Sequence, residues 1–367
     1  MKKKTFIVGL MIAMQTVTLS LSAQVRNELK IPDVDGYQTL KCDFHMHTVF
    51  SDGLVWPTVR VDEAYREGLD AIALTEHIEY RPHKTDIVAH HGRSFELAEA
   101  AAKKKNIILI RGSEITRSMP PGHFNAIFTT NNDSLDQKEW RDAFKAAKSQ
   151  HAFIFWNHPG WAAQQPDSTK WWPEHTELLN AGCMQGIEVA NSTTYFPEAQ
   201  RWCMEKKLTM LGNSDVHQPI QSEVDFSKGG HRIMTLVFAK ERSVEGIREA
   251  LLNRRTAVYV NNDVIGEEKY LKELFENAIE ILNVDKSSRS IKVTIKNNSD
   301  LTFELLKTEH DTNLVYFRHY TVEPNATHEI VIKLQNGIER GDVNFEVTNL
   351  LVEPNQGLKC SYNVSLK

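Results

Sequence analysis

Seven short segments of this chain each contribute a histidine or a carboxylate, and most of these side chains follow an apolar run. A charged group at the end of a buried strand is costly unless it binds something. Nine such side chains occur: His45, His47, Asp52, His77, Glu114, His123, His158, Asp215 and His217. Zinc, manganese and iron prefer imidazole and carboxylate ligands, and nine groups exceed the needs of one ion. The pattern predicts a polynuclear metal site.

Between about Leu40 and Leu282, short apolar runs alternate with amphipathic helical stretches, which is typical of an α/β barrel or a doubly wound sheet. The predicted strands are Asp70–Leu74, Ile107–Ile110, Asn125–Thr129, Phe153–Trp156, Gly186–Ala190, Thr209–Leu211 and Ile233–Phe238. The predicted helices include Pro57–Glu67, Ser94–Lys104, Gln137–Ser149, Pro197–Lys206 and Ser243–Asn253. Roughly 240 residues suit a barrel, and only a barrel brings the carboxyl ends of all strands to one rim. The candidate ligands lie at those ends, so the barrel is favoured.

After about Asp285 the sequence alternates polar and apolar residues in two-residue steps, as in short strands of a small β-sandwich. The predicted strands are Ser290–Lys296, Thr302–Lys307, Leu314–Val322, His328–Leu334, Val343–Val347 and Cys360–Leu366. We therefore expect a barrel domain at residues 38–283 and an all-β domain at residues 286–367. The all-β domain either covers and packs against the barrel or binds a carbohydrate or protein partner.

The first residues have the form of an export signal, with three lysines before a mostly apolar stretch and a small-residue cleavage point near residue 23. We expect an exported protein, periplasmic or secreted, with no stable membrane span after the signal is removed. Removing its three lysines from 43 basic residues leaves 40 against 48 acidic ones, a net charge of −8. This charge argues against binding of long nucleic acids or anionic membranes. Four scattered cysteines do not form a disulfide framework; Cys183 and Cys203 are either bridged or buried thiols.

Candidate ligands that lie close together in the sequence could bind the same ion. His45 and His47 lie two residues apart on a predicted strand, so their side chains face the same side. Glu114 follows an apolar strand, and a carboxylate can bridge two ions whereas an imidazole cannot. Each of these residues alone could be a cap, a turn or a buried polar group. Their repetition at strand ends indicates a shared site.

The motifs resemble those of the polymerase and histidinol phosphatase (PHP) family. A His-x-His opening, a Ser-Asp-Gly loop, a Thr-Glu-His segment, a Gly-x-Glu, two further histidines and a final Asp-x-His occur in the family order across Lys41 to His217. The resemblance implies a distorted (β/α)7 barrel with a di- or trinuclear centre. It extends to about residue 280 and leaves the all-β segment outside.

By the same resemblance, one ion would be held by His45, His47, Glu114 and Asp215. A second would use Glu114 as a bridge with His123 and His158, and a third would use Asp52, His77 and His217. The implied cofactors are thus two or three divalent ions (Zn, Mn or Fe). Together such ions can activate water for attack on phosphorus and neutralise an anionic substrate.

The leading hypothesis is an exported phosphoesterase acting on a small phosphorylated substrate, either a monoester or a small diester. His217, or a histidine of the loop holding His83, His90 and His91, is a candidate acid for the leaving group. Arg117 and Arg93 are candidates to hold a phosphate, although surface arginines are common. Trp156, Trp161, Trp171 and Trp172 cluster around His158 and either pack the loops or line a wall for a sugar, nucleoside or aryl group.

Two alternatives remain open at this stage. One is nuclease-like trimming of short nucleic acids, and the other is a catalytically weak metal protein whose all-β domain binds an envelope partner. The complete ligand set favours an enzyme. Substrate identity, native metal and oligomeric state are not specified by the sequence.

Overall fold

The structure, a computed structural model, describes residues 25–309 and 312–367. The export signal expected at residues 1–23 lies outside the described residues. Within the described ranges, no helix has both the length and the apolar character needed to cross a membrane.

Strands and helices alternate in the first part of the chain. In order they are β1 (Gln38–Asp43), α1 (Pro57–Arg66), β2 (Ala71–Leu74), α2 (Arg93–Lys105), β3 (Ile108–Ile115), β4 (Phe124–Ile127), α3 (Trp140–Ser149), β5 (Phe153–Trp156), α4 (Pro173–Asn180), β6 (Gly186–Asn191), β7 (Thr194–Tyr195), α5 (Pro197–Lys206), β8 (Thr209–Asn213), β9 (Met234–Ala239), α6 (Val244–Leu252), β10 (Thr256–Val260), β11 (Asp263–Gly266) and α7 (Glu268–Ala278). Short 3₁₀ helices occur at Asp133–Leu135, Ile220–Ser222 and Phe226–Lys228.

The remaining elements are strands. They are β12 (Ile279–Lys286), β13 (Ser290–Asn297), β14 (Phe303–Lys307), β15 (Leu314–Val315), β16 (His319–Val322), β17 (Thr327–Leu334), β18 (Arg340–Glu353) and β19 (Gln356–Ser365).

The strands of the first part form a distorted barrel. β1, β2 and β3 are parallel neighbours, β4 runs antiparallel between β3 and β5, and β5, β6 and β8 are again parallel. β9 lies antiparallel on the other side of β1. Strands β2, β5, β6 and β9 are buried along their whole length, as expected when both faces of a sheet are covered.

Side chains join β8 to β9 and β10 where the barrel closes. The hydroxyl of Thr235 on β9 accepts from Gly212 N at 3.0 Å and donates to Gly212 O at 2.9 Å. Thr256 on β10 donates to Met210 O at 2.7 Å. A Cβ on Gly212 would collide with Val258, so glycine allows the strands to approach this closely. The predicted class, a distorted α/β barrel followed by a β-sandwich, is confirmed.

Local sequence explains several helix ends. Pro57 occupies the first turn of α1, where its missing N–H costs nothing. The side chain of Ser243 caps α6 by accepting from Gly246 N at 2.9 Å. Three lysines close α2, where cations suit the helix dipole, and Asn106 ends the helix in the left-handed conformation.

Two stacked sheets form the C-terminal domain. One contains β12, β13, β17 and β15, and the other contains β16, β14, β18 and β19. The second sheet is continuous with the barrel, because β18 pairs in parallel with β11. Val264 is paired with Leu350, and Ile265 with Leu351. The buried Asn349 donates to Asn262 O and to Thr302 O, each at 2.8 Å, at this junction. The domain is thus joined to the barrel through backbone pairing.

Some elements differ from the sequence-based expectations. The β10–β11 hairpin and α7 were not predicted, and β12 begins at Ile279, inside the range expected for the barrel. The single strand expected over Leu314–Val322 is two strands, because β15 pairs with β17 in one sheet and β16 pairs with β14 in the other. The four cysteines are free thiols, and three of them are buried.

Candidate metal centre

The structure brings the nine predicted side chains together at the carboxyl ends of the barrel strands. His45 and His47 follow β1, and the backbone of this segment is fixed against the segment after β8, since Asp215 N donates to His45 O at 2.8 Å. His77 follows β2 and forms an isolated bridge with Glu114 on β3. His158 and Asp215 adopt positive φ values of 29° and 55°, a costly conformation that concentrates at functional sites.

His45, His47 and Glu114 could hold one ion in the first group, and Asp215 lies beside the two histidines. Asp215 Oδ1 lies 3.1 Å from His45 Nε2 and 3.1 Å from His47 Nε2. Each of these imidazole nitrogens is also 3.6 Å from an oxygen of Glu114. Ligands about 2.1 Å from a tetrahedral ion are separated by roughly 3.4 Å. The spacing therefore fits one ion.

Glu114 connects this group to a second one. Its Oε1 lies 3.0 Å from His123 Nδ1 and 3.7 Å from His158 Nε2, while its Oε2 faces His47 and His77. His158 Nε2 is also 3.9 Å from Asp215 Oδ2. Glu114 thus belongs to two of the candidate groups, and its carboxylate would contribute a ligand to each.

Asp52 is the centre of a third group. Its Oδ1 lies 3.2 Å from His217 Nε2, 3.4 Å from His77 Nε2 and 3.9 Å from His47 Nδ1. Compared with the sets implied by the family resemblance, His47 joins this third group and His77 joins Glu114 and His123. The three groups share ligands and so form one connected cluster.

Several buried atoms of the cluster lack a hydrogen-bond partner within the described part of the chain. They are His45 Nε2, His47 Nε2, Asp52 Oδ1, Glu114 Oε2, His123 Nδ1 and His158 Nδ1. Burying an unsatisfied polar atom costs on the order of 1–3 kcal/mol, and native proteins rarely accept it without a partner. Divalent cations would supply partners for the atoms that face one another in the cluster, so the donor set fits metal ions.

Glu188 on β6 supports the first group and was missed by the sequence analysis. Its buried carboxylate contacts His45 Nδ1 at 2.8 Å and accepts from His158 N at 2.7 Å and from Asn213 Nδ2 at 3.0 Å. It thereby fixes the ring of His45 with Nε2 toward the cluster. The available signal was a lone carboxylate inside the otherwise apolar run Gly186–Ala190.

Glu76 supports the loop that carries Asp52. Its carboxylate accepts from the hydroxyls of Thr48 at 2.5 Å and Ser51 at 2.6 Å, and Ser51 Oγ lies 3.2 Å from His47 Nδ1. A Cβ on Gly53 would lie 2.6–2.7 Å from backbone atoms of His47 and Thr48. Only glycine allows this loop to fold back over the first histidines.

Two buried arginines hold the backbone beneath the cluster. Arg60 donates to His47 O at 2.9 Å, Val216 O at 3.0 Å and Gln218 O at 2.8 Å. Arg232 pairs with Asp43 at 3.0 Å, and Asp43 accepts from Ser214 Oγ at 2.5 Å. The side chain of Asp43 therefore ties the end of β1 to the segment after β8.

Comparisons with known proteins agree with this geometry. A family model described as DUF5001, an Ig-like domain, matches residues 278–363. A solved two-domain protein from Bacteroides vulgatus, described as containing a predicted PHP-like metal-dependent phosphoesterase, is 60% identical to this chain. The two structures superpose with a TM-score of 0.92 over 93% of this chain and 100% of the other. The chain belongs to the PHP-like metal-dependent phosphoesterases.

Other relatives of this PHP-like protein are more distant. A 5'-3' exoribonuclease of Haemophilus influenzae is 38% identical over 78 residues, which are 21% of this chain and 24% of the exoribonuclease. The chain thus spans about a quarter of the length of that curated relative. An amidohydrolase from Chromobacterium violaceum is 17% identical, with a TM-score of 0.37 over 49% of this chain and 88% of the other.

The charges of the PHP-like cluster interact strongly. Burial opposes protonation of His77, but Glu114 and Asp52 raise the pKa of His77 to about 10. Burial and the neighbouring His77 lower the pKa of His47 to about 3. Burial also opposes ionisation of Glu114, yet His77 and His123 hold the pKa of Glu114 well below its usual range. The carboxylate of Glu114 is therefore anionic beside these imidazoles.

The two residues predicted to act on the substrate differ in position. His217 lies in the cluster, with 31% of its side chain exposed, and contacts Asp215 O through Nδ1 at 2.7 Å. Arg117 pairs with Glu79 at 2.7 Å and donates to Gln137 O and Lys138 O, at the rim of the PHP-like barrel. The guanidinium of Arg117 is therefore engaged by Glu79 and by two backbone carbonyls.

Proposed function

We propose that this PHP-like protein hydrolyses a small phosphorylated substrate, either a phosphomonoester or a small phosphodiester. The observation that supports this most directly is the convergence of nine side chains with nitrogen or oxygen donors. Six of them have a buried atom that lacks a hydrogen-bond partner among the described residues. Divalent ions bound there supply Lewis acidity and an activated water. We further propose two or three such ions, of zinc, manganese or iron.

The protein's own residues perform three tasks in this proposal. His45, His47, Glu114 and Asp215 hold the cluster together, and Glu188 orients the ring of His45. His217 is the candidate for moving a proton to the leaving group, because it is the most exposed of the six clustered imidazoles.

Nuclease-like trimming of short nucleic acids is the second candidate function. The 78-residue similarity to a 5'-3' exoribonuclease favours it. The excess of 48 acidic over 43 basic residues counts against long, polyanionic substrates. A catalytically weak, partner-binding protein is less well supported, because the complete donor set is present.

The test is an assay of phosphomonoesters and diesters with protein loaded with manganese, zinc or iron, with and without chelator. Glu114→Gln should lower kcat/KM by at least about a hundredfold, because the bridging charge is lost. Glu205→Gln on the exposed face of α5 is the matched control and should retain full activity. Undiminished turnover in chelator, or in Glu114→Gln, would refute the proposal.

Export remains a proposal as well. It rests on the lysines and the apolar stretch of the first 23 residues. N-terminal sequencing of protein recovered from the cell envelope or medium should show that these residues have been removed. Recovery of the intact N-terminus from the cytoplasm alone would refute export.

A further inference from the structure

Two exposed aromatic side chains lie against the cluster of candidate metal ligands. Trp161 is 45% exposed, and its ring centroid is 5.2 Å from that of His158 and 5.6 Å from that of His123. Tyr80 is 53% exposed, with its ring centroid 5.9 Å from that of His77. His77 and His123 are themselves 5.9 Å apart. The two exposed rings therefore lie beside different imidazoles of the cluster, Tyr80 beside His77 and Trp161 beside His123 and His158.

Trp161 is held in place by its backbone. Its N–H donates to His158 O at 2.9 Å, and its carbonyl accepts from Gln164 N and Gln165 N at the same distance. The preceding Gly160 is packed so closely that a Cβ would lie 2.7 Å from the ring of Phe196 and the hydroxyl of Thr169. The turn thus presents the indole at a fixed position.

The neighbouring tryptophans have packing roles that Trp161 lacks. Trp156 is fully buried and stacks on Trp202, and Trp171 contacts both. Trp172 donates from its indole nitrogen to Gln165 Oε1 at 3.1 Å. Of the four tryptophans singled out in the sequence, Trp161 is the exposed one that touches the metal-binding histidines.

We propose that Trp161 and Tyr80 form a subsite for a planar ring of the substrate. The ligand class is a phosphate ester whose leaving group carries an aryl or heteroaromatic ring. Residues after Trp161 are the exposed Ala162 and Ala163, which offer no donors or acceptors in their side chains for sugar hydroxyls. Stacking on an aromatic face needs none. This inference rests on the proposed phosphoesterase function.

The experiment compares adenosine 5'-monophosphate with ribose 5-phosphate, which share the phosphate and the leaving alcohol and differ in the base. The ratio of their kcat/KM values cancels any general damage to the metal centre. Wild type should prefer the nucleotide, and Trp161→Ala should reduce that preference about 5- to 100-fold, as loss of base–aromatic stacking predicts. Trp161→Phe should retain most of it, and Phe317→Ala, at a 74% exposed position of the sandwich, should retain all of it.

A binding measurement separates this subsite from the chemistry. Adenosine 5'-monophosphate should quench tryptophan fluorescence, ribose 5-phosphate should not, and Trp161→Phe should abolish the quenching. Turnover of both probes with a ratio unchanged in Trp161→Ala would overturn the subsite and leave the phosphoesterase proposal standing. If neither probe is hydrolysed but adenosine 5'-monophosphate still quenches the fluorescence of Trp161, the phosphoesterase proposal would be overturned and the subsite would stand. Absence of quenching and of any nucleotide preference would overturn the subsite.

Discussion

At the scale of single residues, the candidate ligands could be predicted because strand ends converge in a barrel. His45, Glu114 and Asp215 are recognisable from their places after apolar runs. Glu188 and Arg60 could not be assigned in this way, since their roles depend on which strands and loops become neighbours in space. Glu188 reaches His45 across 143 residues of chain.

We predict that Glu188→Gln weakens metal binding about 10- to 100-fold, because the carboxylate that orients His45 loses its charge. Metal titration followed by calorimetry measures the change. Glu205→Gln is the exposed control and should bind as wild type does. Unchanged affinity in Glu188→Gln would mean that His45 needs no such support.

At the scale of elements, segments with a clear apolar run or helical period could be predicted, and pairing between distant segments could not. α5 and β5 have the expected bounds, and Ser243 caps α6 as its sequence indicated. The β10–β11 hairpin was not predicted, and its place in the sheet depends on pairing with β9 and β18. The chain passes from one sheet to the other between β15 and β16, near Phe317, because the two strands pair with different partners that are distant in sequence.

The start of α4 provides a pH-dependent prediction. His175 is fully buried, accepts from Trp172 N through Nδ1 and donates to Pro121 O through Nε2 at 2.8 Å. Burial lowers the pKa of His175 from 6.5 to about 4. Because the unfolded chain binds this proton more readily, the stabilising contribution is present above pH 6.5 and is lost as the pH falls toward 4.

The expected loss reaches about 3 kcal/mol below pH 4, from the difference between the two pKa values. Denaturant unfolding of metal-free protein at several pH values tests this prediction. His175→Gln has no proton to gain and should therefore lose less stability than wild type between pH 6.5 and pH 4. Parallel pH dependences of the two proteins would contradict the assignment.

At the scale of the whole molecule, the order and class of the two domains could be predicted, but their connection could not. Local alternation indicates strands but does not show that β18 pairs with β11, whose paired residues lie 86 positions earlier in the chain. Because β11 and β18 belong to one sheet, the β-sandwich stabilises the barrel through backbone hydrogen bonds. We therefore expect the two domains to unfold together.

Asn349 tests this connection, because its buried amide bonds to Asn262 O, Thr302 O and Glu304 N. Asn349→Ala should lower the free energy of unfolding by about 2–4 kcal/mol, since it leaves buried backbone groups without partners. Asn283→Ala on exposed β12 is the matched control. Two separate transitions in wild-type protein would show that the domains are independent.

The central claim is that the clustered histidines and carboxylates hold several metal ions together. Anomalous diffraction from crystals of metal-loaded protein tests it most directly. We expect at least two anomalous peaks, each about 2.0–2.2 Å from atoms of the nine side chains, with Glu114 contacting two of them. A single peak, or none within reach of His45, His47 and Glu114 under metal-replete conditions, would contradict it.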